Sequence, residues 1–196
     1  MPTGVALRDA RRQLFDAAER VLLADGAAAL TSRAVTTEAG CAKGVLHRHF
    51  ADFDAFLAEL VLDRIARVER QAEELRAAAG GGSVVGNLTA ALTEAFSPVV
   101  VAIVSLLIAR DELRTRLRQG GRRGLPLVSE TTAMVSGYLT AEQELGRVAA
   151  DADVRILAPT LVGAAHLRFA DREAAQAEEQ DVRHFVQAVL AGVLAG

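Results

Sequence analysis

The chain has 196 residues, of which 51% are hydrophobic and 24% charged, and a formal net charge of −3, which is enough to bury the core of one or two small domains. A single cysteine excludes an internal disulfide, and the opening MPTGVALRDARRQLF lacks the apolar core and small-residue cleavage site of a signal peptide, so a reducing cytoplasm is the expected location. The longest nearly uncharged apolar run, 98-PVVVAIVSLLIA-109, has 12 residues against the about 18 that a membrane span needs, so a buried helix is expected there and no membrane partner.

The charge is unevenly divided. Residues 1–50 hold seven Arg and Lys against five Asp and Glu, a net of +2; residues 51–196 hold 15 against 20, a net of −5. A basic N-terminal module on an acidic body suits a small anion-binding head.

Apolar residues recur at helical spacing almost throughout, and no stretch has the alternation of a strand. The first helix is predicted from Val5 to Ala24, with Leu7, Leu14, Ala18, Val21 and Leu22 as its stripe and Gly26 as its stop. Thr31 or Ser32 caps a short second helix over 33–40, and Ala42 to Phe50 is a third. Asp52 caps a long fourth helix whose Phe53, Phe56, Leu57, Leu60, Val61 and Ile65 face inward, and 77-AAAGGGS-83 is the candidate linker. Further helices are predicted near 84–96, 98–109, 111–119, 126–145, 153–170 and 179–195, with breaks at 120-GGRRGLP-126, Gly146 and the polar run 171-DREAAQAEEQ-180.

The expected fold is all-α. A three-helix, helix-turn-helix domain over 1–52 is followed by a connecting helix and linker over 53–82 and a helical domain over 83–196.

The stretch 41-CAKGVLHRHF-50 gathers the only Cys, the only Lys and two of the four His residues. His47 and His49 are two apart, so on a helix they point roughly 200° from each other and cannot share a metal. Cys41 has no carboxylate-oriented imidazole within reach, so neither a catalytic pair nor a metal or cofactor is expected, and the chain is not read as an enzyme. Leu46 and Phe50 form a buried face, while Lys43 and His47, with Gly44 and Arg48 beside them, form another. That second face is either an ordinary solvated surface or a set of donors for a DNA groove. In the groove Arg48 would read a guanine, Gly44 would allow close approach, and Lys43 or His49 would meet phosphate.

The run 14-LFDAAERVLLADGAAALTSRAVTTEAGCAKGVLHRHFADFDAFLAEL-60 resembles the DNA-binding domain of TetR-family transcriptional regulators. Ala17, Ala18, Gly26, Ala39, Gly40, Lys43, Gly44, Leu46, His49 and Phe50 match the family's signature, with Val35 in the place of its Ile. The resemblance implies a bacterial regulator, and an Arg share of 21 among 22 basic residues suits a GC-rich genome. Two departures stand out: His47 replaces a Tyr that usually meets phosphate, and Phe53, between Asp52 and Asp54, stands where the family often has Lys. DNA affinity is therefore expected to lean on Arg8, Arg11, Arg12, Arg33, Lys43 and Arg48.

The resemblance further implies a one-component repressor that binds a palindromic operator as a homodimer and is released by a small molecule. Helices near 153–170 and 179–195 are the expected dimer elements, with Gly163, Ala164 and Ala165 allowing close packing and Val182, Phe185, Val186, Val189 and Val193 forming a stripe. For a small apolar ligand the candidates are Ile103, Leu107, Met134, Tyr138, His166 and Phe169, with Leu106 beside them. The alternative is a helical interaction protein that has lost DNA binding.

Overall fold

The computed structural model describes residues 4–170 and 179–194, and the side chains from residue 10 onward within those limits. Among the described residues ten α-helices follow in chain order: α1 Gly4–Asp25, α2 Ser32–Glu38, α3 Gly44–His49, α4 Phe53–Ala77, α5 Val84–Ala95, α6 Pro98–Ala109, α7 Asp111–Gln119, α8 Val128–Glu144, α9 Val154–Ala170 and α10 Glu179–Leu190. A 3-10 turn at Ala27–Ala29 separates α1 from α2. The fold is all-α, as the periodicity predicts. The expected break over 171–180 lies, up to residue 178, outside the described residues.

Two predicted boundaries shift for identifiable reasons. Helix α8 starts at Val128 because Leu127 adopts a φ of 71°, and its N–H is taken by the Glu130 carboxylate at 2.7 Å. Helix α10 ends at Leu190, five residues early. The chain beyond it is recruited by the turn after α8, where the Ala149 N–H donates to the Val193 carbonyl at 2.8 Å and Val148 pairs with Leu194.

The chain packs as two compact units, one of Met1–Asp63 with Ala102–Arg123 and one of Arg64–Val101 with Gly124–Gly196. The core of the first unit includes Leu14, Ala18, Leu22, Leu30, Val35, Leu46, Leu57 and Leu60, all buried. At its centre Phe15, Phe50 and Phe56 meet pairwise at 5.0 to 5.8 Å between ring centroids, each pair adding about 0.5–1.5 kcal/mol beyond area burial. Phe50 closes α3 and Phe56 lies in the first turn of α4, so this cluster joins the two helices rigidly.

In the second unit α5, α8, α9 and α10 bury Leu88, Leu92, Val135, Leu139, Leu161, Val182, Val186 and Leu190. The glycine run 77–83 is an ordered turn inside this unit. The Gly80 N–H donates to the wholly buried Glu142 carboxylate at 3.4 Å, and Arg147 pairs with the same carboxylate at 3.4 Å while donating to the Gly82 carbonyl at 2.8 Å. Asn87 completes the clasp, donating to the Gly81 carbonyl and to the Tyr138 hydroxyl, each at 2.9 Å.

Candidate nucleic-acid interface

Local chemistry builds the helix-turn-helix. Thr31 caps α2 by accepting the Ala34 N–H at 3.1 Å. Helix α2 ends in a left-handed residue, Gly40 at a φ of 64°. The Gly40 N–H donates to the Thr37 carbonyl and the Cys41 N–H to the Thr36 carbonyl, both at 3.0 Å, which is the doubly bonded stop that favours glycine. The chain then enters α3 within four residues.

Helix α3 divides as its sequence suggests. Leu46 and Phe50 are buried, whereas Lys43, Gly44, His47 and Arg48 are exposed. A Cβ added at Gly44 would meet nothing within 4 Å, and its φ is not in the left-handed region, so nothing inside the chain requires glycine there. Arg33 is exposed on α2. His49 is half-buried with its ring beside Phe50, 6.4 Å between centroids, and is the least available of the six expected residues.

Arg11 pairs with Glu59, stacks its guanidinium 4.6 Å from the centre of the Phe50 ring, and donates to the His49 carbonyl at 3.4 Å, so it buttresses the end of α3 while its side chain stays 36% exposed. The Arg8 side chain lies outside the described residues.

The start of α4 carries a feature that sequence reasoning missed. Asp52 caps the helix, accepting the Ala55 N–H at 2.5 Å, and both its oxygens are gripped by Arg116 of α7, at 2.9 and 3.3 Å. Arg116, followed by the Ala55 N–H, holds the Asp52 carboxyl below the usual carboxylate range. Arg110, just before α7, reaches Asp54 at 3.8 Å, donates to the Leu30 carbonyl at 3.3 Å, and lies 6.0 Å from the Phe53 ring centre. Phe53 itself stacks on Phe56 at 5.6 Å. The partners are 64 and 56 residues apart in the chain, and no local spacing links them.

The six residues expected at a ligand pocket are distributed over both units. Ile103 and Leu107 are wholly buried in the first unit; Met134, Tyr138, His166 and Phe169 belong to the second. The Tyr138 phenol is committed to Asn87 and Glu142, and burial, reinforced by Glu142, raises its pKa. Phe96, which the periodicity does not single out, gathers His166 at 5.9 Å and Phe169 at 6.1 Å between ring centroids. The His166 Nδ1 is shielded from solvent without a hydrogen-bond partner. On α9 the exposed residues Ile156, Pro159, Thr160, Gly163 and Leu167 follow helical spacing, with Ile156 at 64% and Leu167 at 74% exposure. The α10 stripe is different: Val182 and Val186 are buried within the second unit, and Phe185 and Val189 are half-buried. Among the described residues no group of His, Cys, Asp and Glu is arranged to hold a metal ion, and no single helix is long and apolar enough to cross a membrane.

Residues 14–60 match the family model described as bacterial regulatory proteins, tetR family. Solved structures of similar fold include a TetR-family transcriptional regulator from Rhodococcus sp., with 22% identity over 95% of this chain and 100% of that one and a TM-score of 0.67. FadR from Bacillus subtilis, solved in complex with stearoyl-CoA, is 18% identical over 94% of this chain and 98% of its own, with a TM-score of 0.67. A gamma-butyrolactone receptor, an ArpA-like protein, is 20% identical over 96% of this chain and 89% of its own, with a TM-score of 0.70. No curated protein matches the chain. The head is thus a TetR-type helix-turn-helix domain, and the chain has the fold of TetR-family transcriptional regulators.

Proposed function

We propose that this chain, whose head is a TetR-type domain, is a cytoplasmic one-component repressor that binds a palindromic operator as a homodimer and is released by a small apolar ligand. The observation that carries the reading is the exposed face of α3, where Lys43, Gly44, His47 and Arg48 stand opposite the buried Leu46 and Phe50. A helix fits the major groove, and a guanidinium such as that of Arg48 can pair bidentately with guanine for about 1–3 kcal/mol of discrimination. Lys43, His47 and Arg33 then serve the phosphates, with His49 at the edge of the contact.

The homodimer is the second part of the proposal. A single short recognition helix makes few contacts, whereas two heads related by a twofold axis read two half-sites. The exposed apolar stripe of α9, from Ile156 to Leu167, supports it, and α10 contributes its outer face while its inner stripe stays in the subunit core.

The ligand is the third part. FadR with stearoyl-CoA and the gamma-butyrolactone receptor are of this fold, and in this chain Phe96, His166 and Phe169 form an aromatic cluster with one unsatisfied imidazole nitrogen, with the buried Met134 in the same unit. Release requires that the ligand prefer a conformation whose recognition helices no longer match the operator, since a ligand that binds both states equally shifts neither. No catalytic step is involved.

The test is selection of binding sites from a random duplex pool with wild type and Arg48→Ala. A twofold-symmetric enriched site that the variant relaxes is the expected result; no enrichment by a folded dimer favours an interaction protein that no longer touches DNA. That second reading has one observation behind it, the acidic Asp52-Phe53-Asp54 at the start of α4.

A further inference from the structure

The acidic start of α4 lies close to the face proposed to meet DNA. His49 and Asp52 are three residues apart, a span of at most about 11 Å, and the Phe15–Phe50–Phe56 cluster holds the two helices together. Charges at that spacing interact across roughly one Debye length, which is about 8–10 Å at physiological ionic strength. Two bare carboxylates there would repel the phosphate backbone that Lys43 and Arg48 attract. They are not bare: Arg116 grips both oxygens of Asp52 at 2.9 and 3.3 Å, and Arg110 stands 3.8 Å from Asp54.

Stability does not explain this pairing well. Arg116 and Asp52 are 41% and 54% exposed, and ion pairs in that setting contribute little to folding. Their consequence is where charge sits on the surface. We infer that Arg110 and Arg116 are positioning residues for DNA binding, which mask the carboxylates of Asp54 and Asp52 so that a phosphate backbone can approach the end of α3 and the start of α4. The partner recognised is the polyanionic backbone itself, independent of base sequence. The inference rests on the proposed function, since it concerns how DNA is tolerated at that face.

The test is a charge cycle on the full chain with a mixed-sequence duplex, whose binding is governed by backbone electrostatics. Wild type, Arg116→Gln, Asp52→Asn and the double variant are compared at several salt concentrations, with helicity and thermal unfolding as controls. Asn is as good a helix cap as Asp, so Asp52→Asn preserves the start of α4. The expected result is that Arg116→Gln binds on the order of tenfold more weakly at low salt, with a defect that shrinks as salt screens the exposed carboxylate. Asp52→Asn binds at least as tightly as wild type, and the double variant recovers to within about threefold of it.

Equal weakening by both single variants with no recovery in the double overturns the inference, because the pair would then act as a mechanical brace. A double variant as weak as Arg116→Gln, with the salt slope reduced by about one contact, also overturns it in favour of a direct Arg116–phosphate contact. Unchanged binding by a folded Arg116→Gln overturns this inference alone. Failure of wild type to bind any duplex overturns the proposed function and the inference with it.

Discussion

Helices α3 and α9 each present a face that the chain does not cover, and the two faces differ in kind. The α3 face is short and cationic, with an exposed glycine that the fold does not require. The α9 face is long and apolar, with Ile156 and Leu167 more than half exposed. A solvated cationic face costs little to leave open, whereas an exposed apolar stripe is best understood as one that another surface buries. Under the proposed function the first meets a polyanion and the second a copy of the same chain. The comparison shows why the character of an uncovered surface says more than its exposure alone.

That contrast can be broken experimentally. The largest expected effect is on the cationic face: Lys43→Ala combined with Arg48→Ala lowers operator affinity by on the order of 100-fold or more, through loss of a base contact and a phosphate contact. Sedimentation of the same variant remains that of the wild type. The converse pair, Ile156→Glu with Leu167→Glu, places carboxylates on the α9 stripe and shifts the protein to monomer in sedimentation. Thermal unfolding of the isolated subunit changes little, because neither side chain is in the core. If both pairs of substitutions altered oligomeric state alike, the division of labour between the faces would be wrong.

Smaller effects sharpen the picture. Glu142→Ala leaves the Gly80 N–H and Arg147 without their shared partner and costs about 3 kcal/mol of stability in denaturant titration, with DNA affinity of the remaining folded protein unchanged. Gly44→Ala meets no steric obstacle within the chain and leaves stability unchanged or raised by up to about 1 kcal/mol. The same substitution weakens operator binding, since the added methyl stands where the duplex would approach. A gain in stability without a loss in binding would remove Gly44 from the interface.

The smallest effect is on acid stability. The carboxyl of Asp52 is held below its ordinary value, so its pairing with Arg116 stabilises the fold above the unfolded-state pKa of about 3.9 and ceases to do so as pH falls through the lower folded value. Unfolding curves of wild type and Arg116→Gln should therefore converge as the pH is lowered through the acid range.

The head was largely legible in the sequence because its logic is local. Leu46 and Phe50 are four residues apart and so share a helical face, and Gly40 stands where a left-handed stop is required. The exposure of Lys43, Gly44, His47 and Arg48 follows from the same periodicity. That Arg11 braces the end of α3 was not legible, because its partner Glu59 lies 48 positions later in the chain. The body was less legible. Tyr138 stood out as the lone tyrosine, but composition does not tell that Asn87 and Glu142 occupy its hydroxyl. Phe96 did not stand out at all, yet it gathers His166 and Phe169.

By itself the sequence determined the all-α class, the order of the helices and the composition of the α3 face, since helical periodicity and capping depend on residues within a few positions of one another. Only the tertiary structure decided that Arg116 masks Asp52, that Glu142 clasps the 77–83 turn, and that α9 leaves Ile156 and Leu167 uncovered while α10 keeps Val182 and Val186 inside. Those outcomes depend on which distant segments meet, and a helix with two apolar flanks carries no local mark of which flank its own chain will bury.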